Sequence, residues 1–482
     1  MTTKSKKFDM LYVHIAVMLV LIIGAHFVPT VGPITPVGMK ILGVFIAMLY
    51  GWSICGMVWP SMLGMLGVAM SGVVTMKEFA NMSFGNETIV YMIFVMVFTG
   101  VIDEVGLINY IANKMISFKF LNGRPWLFTA FLLIGAFISS AFINMFATIL
   151  VVWGIIYIVA ERFDFKPQDQ WPMLMIMGTI LASSIGGCIM PYKPVPLVIL
   201  QAYSTISGTS MDFFKYICFS LPVTFLVMVF YVLICRFVFR PDIKDLKHIS
   251  VDFADKDALI LNKKQKVAVA FLVAFIFLMI APSILPAEWA LTLAIKQLGL
   301  VGCVLLLLVL MYWVKVDGET LLDFPKMTKH ISWEVILTFA FIIPFAGIFT
   351  GDATGIKECI IMLLKPVLVG MSPIVFLAVT LLIATVLTNI ANNMVVGAVF
   401  ATLIFTIGSG IMGMDVTPMI AVLIVCCNLA LATPAASPTA AMCFANSKWC
   451  KTSDLYKYGW LTVLLGFVFT AIVGLAWASI IY

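Results

Sequence analysis

The sequence predicts an all-α membrane protein of about 11 transmembrane helices with two re-entrant hairpins, arranged as an inverted repeat. Three observations lead there. Of the 482 residues, 63% are hydrophobic and 11% charged, a composition that excludes an ordinary soluble domain. Apolar runs long enough to cross a bilayer core recur along the chain. Two stretches of similar pattern flank a charged linker at residues 240–267.

The first apolar run, residues 10–28, follows a leader carrying Lys4, Lys6 and Lys7. No cleavable signal is evident, so this run is expected to be a first helix in the plasma membrane with its N-terminus cytoplasmic. Further runs lie at residues 57–74, 89–105, 214–238, 267–284, 298–314, 335–348 with flanks, and 460–481. The basic clusters at Lys114/Lys119/Arg124, Arg162/Lys166, 236–266, 315–329 and 448–457 all fall on the cytoplasmic side of this topology. The net charge of +6 then reflects topology and implies no nucleic acid. The ten cysteines lie mostly in apolar runs, as packing residues do, and the four histidines are scattered. No zinc-protease, nucleophile-elbow or phosphate-loop motif is present, so an enzyme is not expected.

The two halves share landmarks. Glu87 returns as Glu334, Asn144 as Asn393, and Lys193-Pro194 as Ser437-Pro438, with offsets of 247, 249 and 244. The topology gives the helices of Glu87 and Glu334 opposite directions, which makes the repeat inverted, as in many secondary transporters. Both glutamates read as first-turn carboxylates that complement a helix dipole. Each half then carries an interfacial segment, at 104–120 and 353–366. A hairpin follows: short arms 126–138 and 149–159 surround the polar tip 139–145, and arms 373–387 and 395–407 surround the tip 388–394. Next comes a broken helix, at 171–203 and 417–447. Two tips and two breaks are expected to converge on one polar cavity. Lys193 stands there in an otherwise uncharged run broken by Gly186, Gly187, Pro191, Pro194 and Pro196. A charge at membrane depth costs roughly 2.5–3.5 kcal/mol on insertion scales and marks function by default. Irregular backbone at that depth is tolerated where it lines a cavity.

A polar tip with asparagine followed by a broken helix with Ser-Pro or Lys-Pro, in two inverted copies, resembles the divalent anion:sodium symporter family of the ion transporter superfamily over nearly the whole chain. The family's Ser-Asn-Thr tips look like Ile143-Asn144-Met145 and Asn392-Asn393-Met394 here, with each Asn kept and each Thr replaced by Met. Its Thr-Pro breaks look like Tyr192-Lys193-Pro194-Val195 and Ala436-Ser437-Pro438-Thr439. The resemblance implies a homodimer in which a scaffold (1–122 and 267–371) holds a transport domain (123–240 and 372–482) that moves as an elevator, with 241–266 as cytoplasmic linker. It implies di- or tricarboxylate or sulfate substrates, coupled to Na⁺ in many members and exchanged without it in others. Substrate residues carried over are Asn144, Met145, Lys193, Pro194, Asn392, Asn393, Met394, Ser437, Pro438 and Thr439. Sodium residues are Ser139 and Asn144 in the first half, and Thr388, Asn393 and the carbonyls of Ala391 and Ala436 in the second. Lys193 would repel Na⁺ from the first site, acting as a built-in cation or as a direct partner of the anion. Met145 and Met394 suggest a different or larger substrate than a plain C4-dicarboxylate. A sodium-independent anion exchanger or uniporter, and an anion channel, stay open as alternatives.

Overall fold

The computed structural model describes residues 10–244, 246, 259–359, 362 and 372–482. The basic leader, most of the charged linker and most of 360–371 lie outside the described residues, and with the last of these much of the expected interfacial segment 353–366.

Helices α1 (Met10–Gly24), α2 (Pro36–Ile54) and α3 (Val58–Ser71) open the chain. Pro36 starts α2 at a position that needs no N–H, and the Thr35 hydroxyl accepts from Gly38 N–H at 3.0 Å. Gly72, left-handed at φ 83°, ends α3. A Thr75–Glu78 capping box starts α4 (Met76–Phe84), which meets α5 (Glu87–Glu104) at a 47° bend. Glu87 stands in the first turn of α5, as expected. Amphipathic α6 (Leu107–Ile116) buries Leu107, Ile108, Ala112 and Ile116.

The first hairpin is α7 (Pro125–Phe142) and α8 (Met145–Arg162), each 18 residues and apolar enough to cross a membrane. Its arms are longer than the sequence suggested. Ser139 and Ser140, read there as part of an irregular tip, remain inside the last turn of α7. The first broken helix is α9 (Gln170–Gly187) and α10 (Pro194–Ser207), separated by residues 188–193. Helix α11 (Phe213–Ile234) continues through a wider turn to Phe239.

After the linker come α12 (Lys263–Ile284) and α13 (Ala290–Trp313), the latter kinked at Gly299, where φ is 62°. A two-stranded ribbon, β1 (Lys315–Val316) and β2 (Glu319–Thr320), precedes α14 (Phe324–Met327). A 65° bend leads into α15 (Trp333–Phe349), with Glu334 in its first turn. The second hairpin is α16 (Pro373–Leu387) and α17 (Asn393–Ile404), and the second broken helix is α18 (Thr417–Cys427) and α19 (Pro438–Ala445). Helices α20 (Thr452–Phe469) and α21 (Leu475–Ile481) close the chain in one run.

Among the described residues six helices are long and apolar enough to span a bilayer, or eight if each bent pair counts as one. That is fewer than the 11 expected, because runs such as 10–28 and 57–74 give helices of only 15 and 14 residues.

Two helices form the centre. Every residue of α9 from Trp171 to Gly187 is buried, as is α18 from Met419 to Cys427. Helix α7 lies directly on α9: a Cβ on Gly186 would sit 2.3 Å from the Phe137 carbonyl oxygen. Backbone cannot yield as a side chain can. Gly186→Ala is therefore expected to cost about 1–3 kcal/mol by overpacking and to lower the melting temperature of purified protein. Gly187→Ala, where nothing lies within 4 Å, should leave melting unchanged. Equal melting of both variants would show that α7 and α9 separate freely.

Candidate functional site

Each hairpin tip turns at an asparagine. Asn144 caps α8, its Oδ1 accepting from Phe146 N–H at 2.8 Å and Ala147 N–H at 3.4 Å. Asn392 caps α17 in the same way, through Met394 N–H at 2.9 Å and Val395 N–H at 3.4 Å. By capping role the counterpart of Asn144 is thus Asn392, one residue before the Asn393 suggested by sequence. Two adjacent asparagines made that register ambiguous. The cap occupies the Asn144 side-chain oxygen and leaves its amide NH₂ as the group for a ligand.

Each break restarts at a proline. Lys193 is the N-cap and Pro194 the first residue of α10, while Ser437 and Pro438 hold those places in α19. Proline fits because the first helical N–H has no intrahelical partner. The Ser437 hydroxyl accepts from Ala440 N–H at 3.1 Å, donates to Ala430 O at 3.1 Å and lies 3.1 Å from the Thr439 hydroxyl.

The non-helical backbone between the segments is held by side chains. Tyr216 OH donates to Cys188 O at 2.6 Å and Ser220 OH to Ile189 O at 3.0 Å in the first break. In the second break Asn389 bonds Leu429 O, Leu431 N–H and Ala432 N–H at 2.8–3.0 Å. The Ser184 hydroxyl joins the two breaks by donating to Asn428 O at 2.9 Å.

The N-termini of α8, α10, α17 and α19 open on one cavity of about 230 Å³. Asn144, Met145, Lys193, Pro194, Asn393, Met394, Ser437, Pro438 and Thr439 line it; of the anticipated substrate residues only Asn392 does not. Four helix N-termini bring partial positive charge to one place, where an anion is favoured, although the caps already take the Phe146, Ala147, Met394, Val395 and Ala440 N–H groups. Half-buried Lys193 adds a full charge, and its Nζ donates to Ile143 O at 2.6 Å, the residue that caps the C-terminus of α7.

The anticipated sodium residues lie behind the cavity wall, apart from Asn144 and Asn393. Ser139 is 1% exposed, and its hydroxyl, like those of Ser140 and Ser183, has no hydrogen-bond partner among the described residues. Thr388 donates to Cys427 O at 3.0 Å. Ala391 is half-buried and Ala436 is buried beside Ala430 and Ala440. These donors are neutral oxygens, a chemistry that suits a hard monovalent cation.

Sequence reasoning missed the acidic side. Asp103, in the last turn of α5, lines the cavity, and its Oδ1 accepts from Asn144 N–H at 3.2 Å. Its Oδ2 lies 3.9 Å from His330 Nδ1, and the other ring nitrogen lies 3.5 Å from Glu104 Oε1. Glu104 in turn pairs with Lys326 at 2.6 Å. Gly100 makes room for His330, since a Cβ there would lie 2.9 Å from the imidazole's own Cβ. One local signal pointed to this cluster: two acids at a helix C-terminus oppose the helix dipole and need another reason to be there.

Broken helices whose ends meet hairpin tips around one mostly apolar cavity with a few polar and charged groups define a multi-pass transport protein. The chain matches the citrate transporter family over residues 44–426 and belongs to it. This agrees with the resemblance to the divalent anion:sodium symporters. It is 25% identical over 346 residues to the sodium-dependent dicarboxylate transporter SdcS of Staphylococcus saprophyticus, an alignment covering 66% of this chain and 64% of that protein. Among solved structures, the YdaH transporter of Alcanivorax borkumensis superposes with a TM-score of 0.58 over 97% of this chain and 98% of that one, at 14% identity, and so shares the fold. MtrF of Neisseria gonorrhoeae, described as belonging to a class of antimetabolite efflux pumps, aligns at a TM-score of 0.48 with 14% identity, covering 98% of this chain and 95% of that one.

Proposed function

We propose that the protein is a secondary active transporter of small di- or tricarboxylate-like anions, with sulfate and sulfonates as neighbouring possibilities, coupled to sodium. The observation that carries this reading is the cavity on which four helix N-termini and Lys193 converge. A dianion there meets helix dipoles, the amides of Asn144 and Asn393, the hydroxyls of Ser437 and Thr439 and the Lys193 ammonium, with the Asp103 carboxylate in the same cavity. Thr388, Asn393 and the carbonyls of Ala391 and Ala436 would take Na⁺ in the second half, with Ser139 and Asn144 as the first-half donors. The relative named for sodium-dependent dicarboxylate transport supports this coupling. In this reading the hairpins and broken helices (123–240 and 372–482) move as an elevator against a scaffold (1–122 and 267–371) in a homodimer built on an inverted repeat.

A second reading, sodium-independent exchange, has its own support. The Lys193 ammonium sits on Ile143 O, at the hairpin tip where the first-half cation would lie. One experiment tests both. Purified protein is melted with succinate, citrate and sulfate, with and without Na⁺, then assayed in proteoliposomes with and without internal anion. A ligand at about 100 times its Kd stabilises by about 2.7 kcal/mol. Stabilisation by a dicarboxylate, enhanced by Na⁺, is expected. Counterflow equally fast without Na⁺ selects the exchanger. Flux that never saturates selects a channel, and no response to any anion overturns the proposal.

A further inference from the structure

A carboxylate in a cavity built for anions needs an explanation, and Asp103 has one. It belongs to α5, whereas the group it grips is the N-terminus of α8: the Asn144 N–H reaches Oδ1 at 3.2 Å. That is the kind of position a bound carboxylate takes at a helix start. The side chain is 10% exposed and lies in the electrostatic field of Lys193, across the same cavity. Lys193 itself bonds Ile143 O and makes no ion pair with Asp103 among those of the described residues, so space remains at the ammonium. The other charged or titratable groups around Asp103 are His330 at 3.9 Å, Glu104 beside it in sequence and, through Glu104, Lys326. Among the described residues no cation touches Asp103 more closely than the amide of the hairpin tip.

We propose that Asp103 is an internal competitor of the transported anion: its carboxylate holds the Asn144 end of the hairpin on α5 when the cavity is empty, and an arriving anion takes over Asn144 and Lys193 and frees the hairpin. The proposal rests on the anion-transport reading and goes beyond it. Two consequences follow. Asp103 weakens anion binding, because the ligand must displace one negative charge and approach it closely. It also restrains the empty hairpin more than the loaded one, so movement is tied to load and exchange is favoured over net flux.

The test is Asp103→Asn, which keeps an acceptor near Asn144 and removes the charge. Succinate affinity of the purified protein is expected to tighten on the order of tenfold. Net uptake into anion-free proteoliposomes should rise relative to exchange. A residue with only a structural role would leave affinity unchanged or weaken it, and either result, in a variant that melts like wild type, overturns the proposal. Asp103→Ala, which removes charge and acceptor together, carries the same expectation and serves if D103N does not fold. Wild-type protein that binds no dicarboxylate, tricarboxylate or sulfate would remove the transport reading itself, which is a separate outcome from tight wild-type binding that D103N does not improve.

Discussion

Lys193→Met is expected to cut uptake at sub-saturating anion by at least about 100-fold while the protein still folds. A full charge about 4 Å from a ligand carboxylate is worth about 4 kcal/mol at an effective dielectric of ~20, and each ~1.4 kcal/mol is tenfold in affinity. Dipoles of the four helix N-termini remain and limit the loss. The variant also takes the 2.6 Å donor from Ile143 O at the end of α7, so the hairpin tip loses an anchor as well as a charge. Sodium dependence separates the two roles considered for this lysine. If the ammonium stands in for a first-half Na⁺, residual transport by K193M gains sodium dependence; if it only pairs with substrate, residual transport keeps the wild-type response. Uptake unchanged in rate and in sodium response would show that the lysine merely snorkels. Because Asp103 and Lys193 share one cavity, D103N combined with K193M should depart from additivity, as neighbouring charges do.

Much of this site was legible before the structure. Prolines at the start of a helix and glycines at its end are local signals, so Pro194, Pro438 and the flanking breaks could be placed to within a few residues. The Asn144 tip was legible as a polar stretch between two apolar runs, whereas its capping of α8 comes from the structure. What could not be read was long-range. Ser139 and Ser140 look like turn residues, yet they stay helical because α7 is packed along the buried α9. Asp103 looks like the polar end of an apolar run, and only the fold brings the tip from 41 positions later against it. His330 looked scattered, and reaches Asp103 because Gly100 leaves space on α5. The number of spans was also beyond local reading. Where a helix stops at 15 residues, as α1 does, depends on what it packs against.

The largest effect on stability is expected at Asn389, which no local pattern singles out. Asn389 is fully buried, and its side chain donates to Thr385 O at 2.9 Å and Leu429 O at 2.8 Å. Its oxygen accepts from Leu431 N–H at 3.0 Å and Ala432 N–H at 2.8 Å, and its backbone carbonyl takes the Thr433 hydroxyl. One amide thereby serves both strands of irregular backbone, the hairpin tip and the unwound stretch between α18 and α19. The first half meets the same need differently. Ser140 follows Ser139 as Asn389 follows Thr388, but its hydroxyl has no partner among the described residues, and Tyr216 and Ser220 of α11 hold the break there. Asn389→Ala strands two N–H groups and at least one carbonyl at depth. At about 1–3 kcal/mol for each unsatisfied buried group, the loss is roughly 3–9 kcal/mol, against a total margin of about 5–15 kcal/mol for a typical domain. The variant is expected to melt far below wild type and to elute as aggregate in size-exclusion chromatography, whereas K193M should remain monodisperse. Asn389→Asp keeps the acceptor but buries a charge and loses both donors, so it should fare no better. Asn389→Ser, which copies the first half, should fall between. Wild-type melting of N389A would mean that something other than this side chain satisfies the unwound backbone, and the second break would then owe its shape to Ser437 and the proline that follows it.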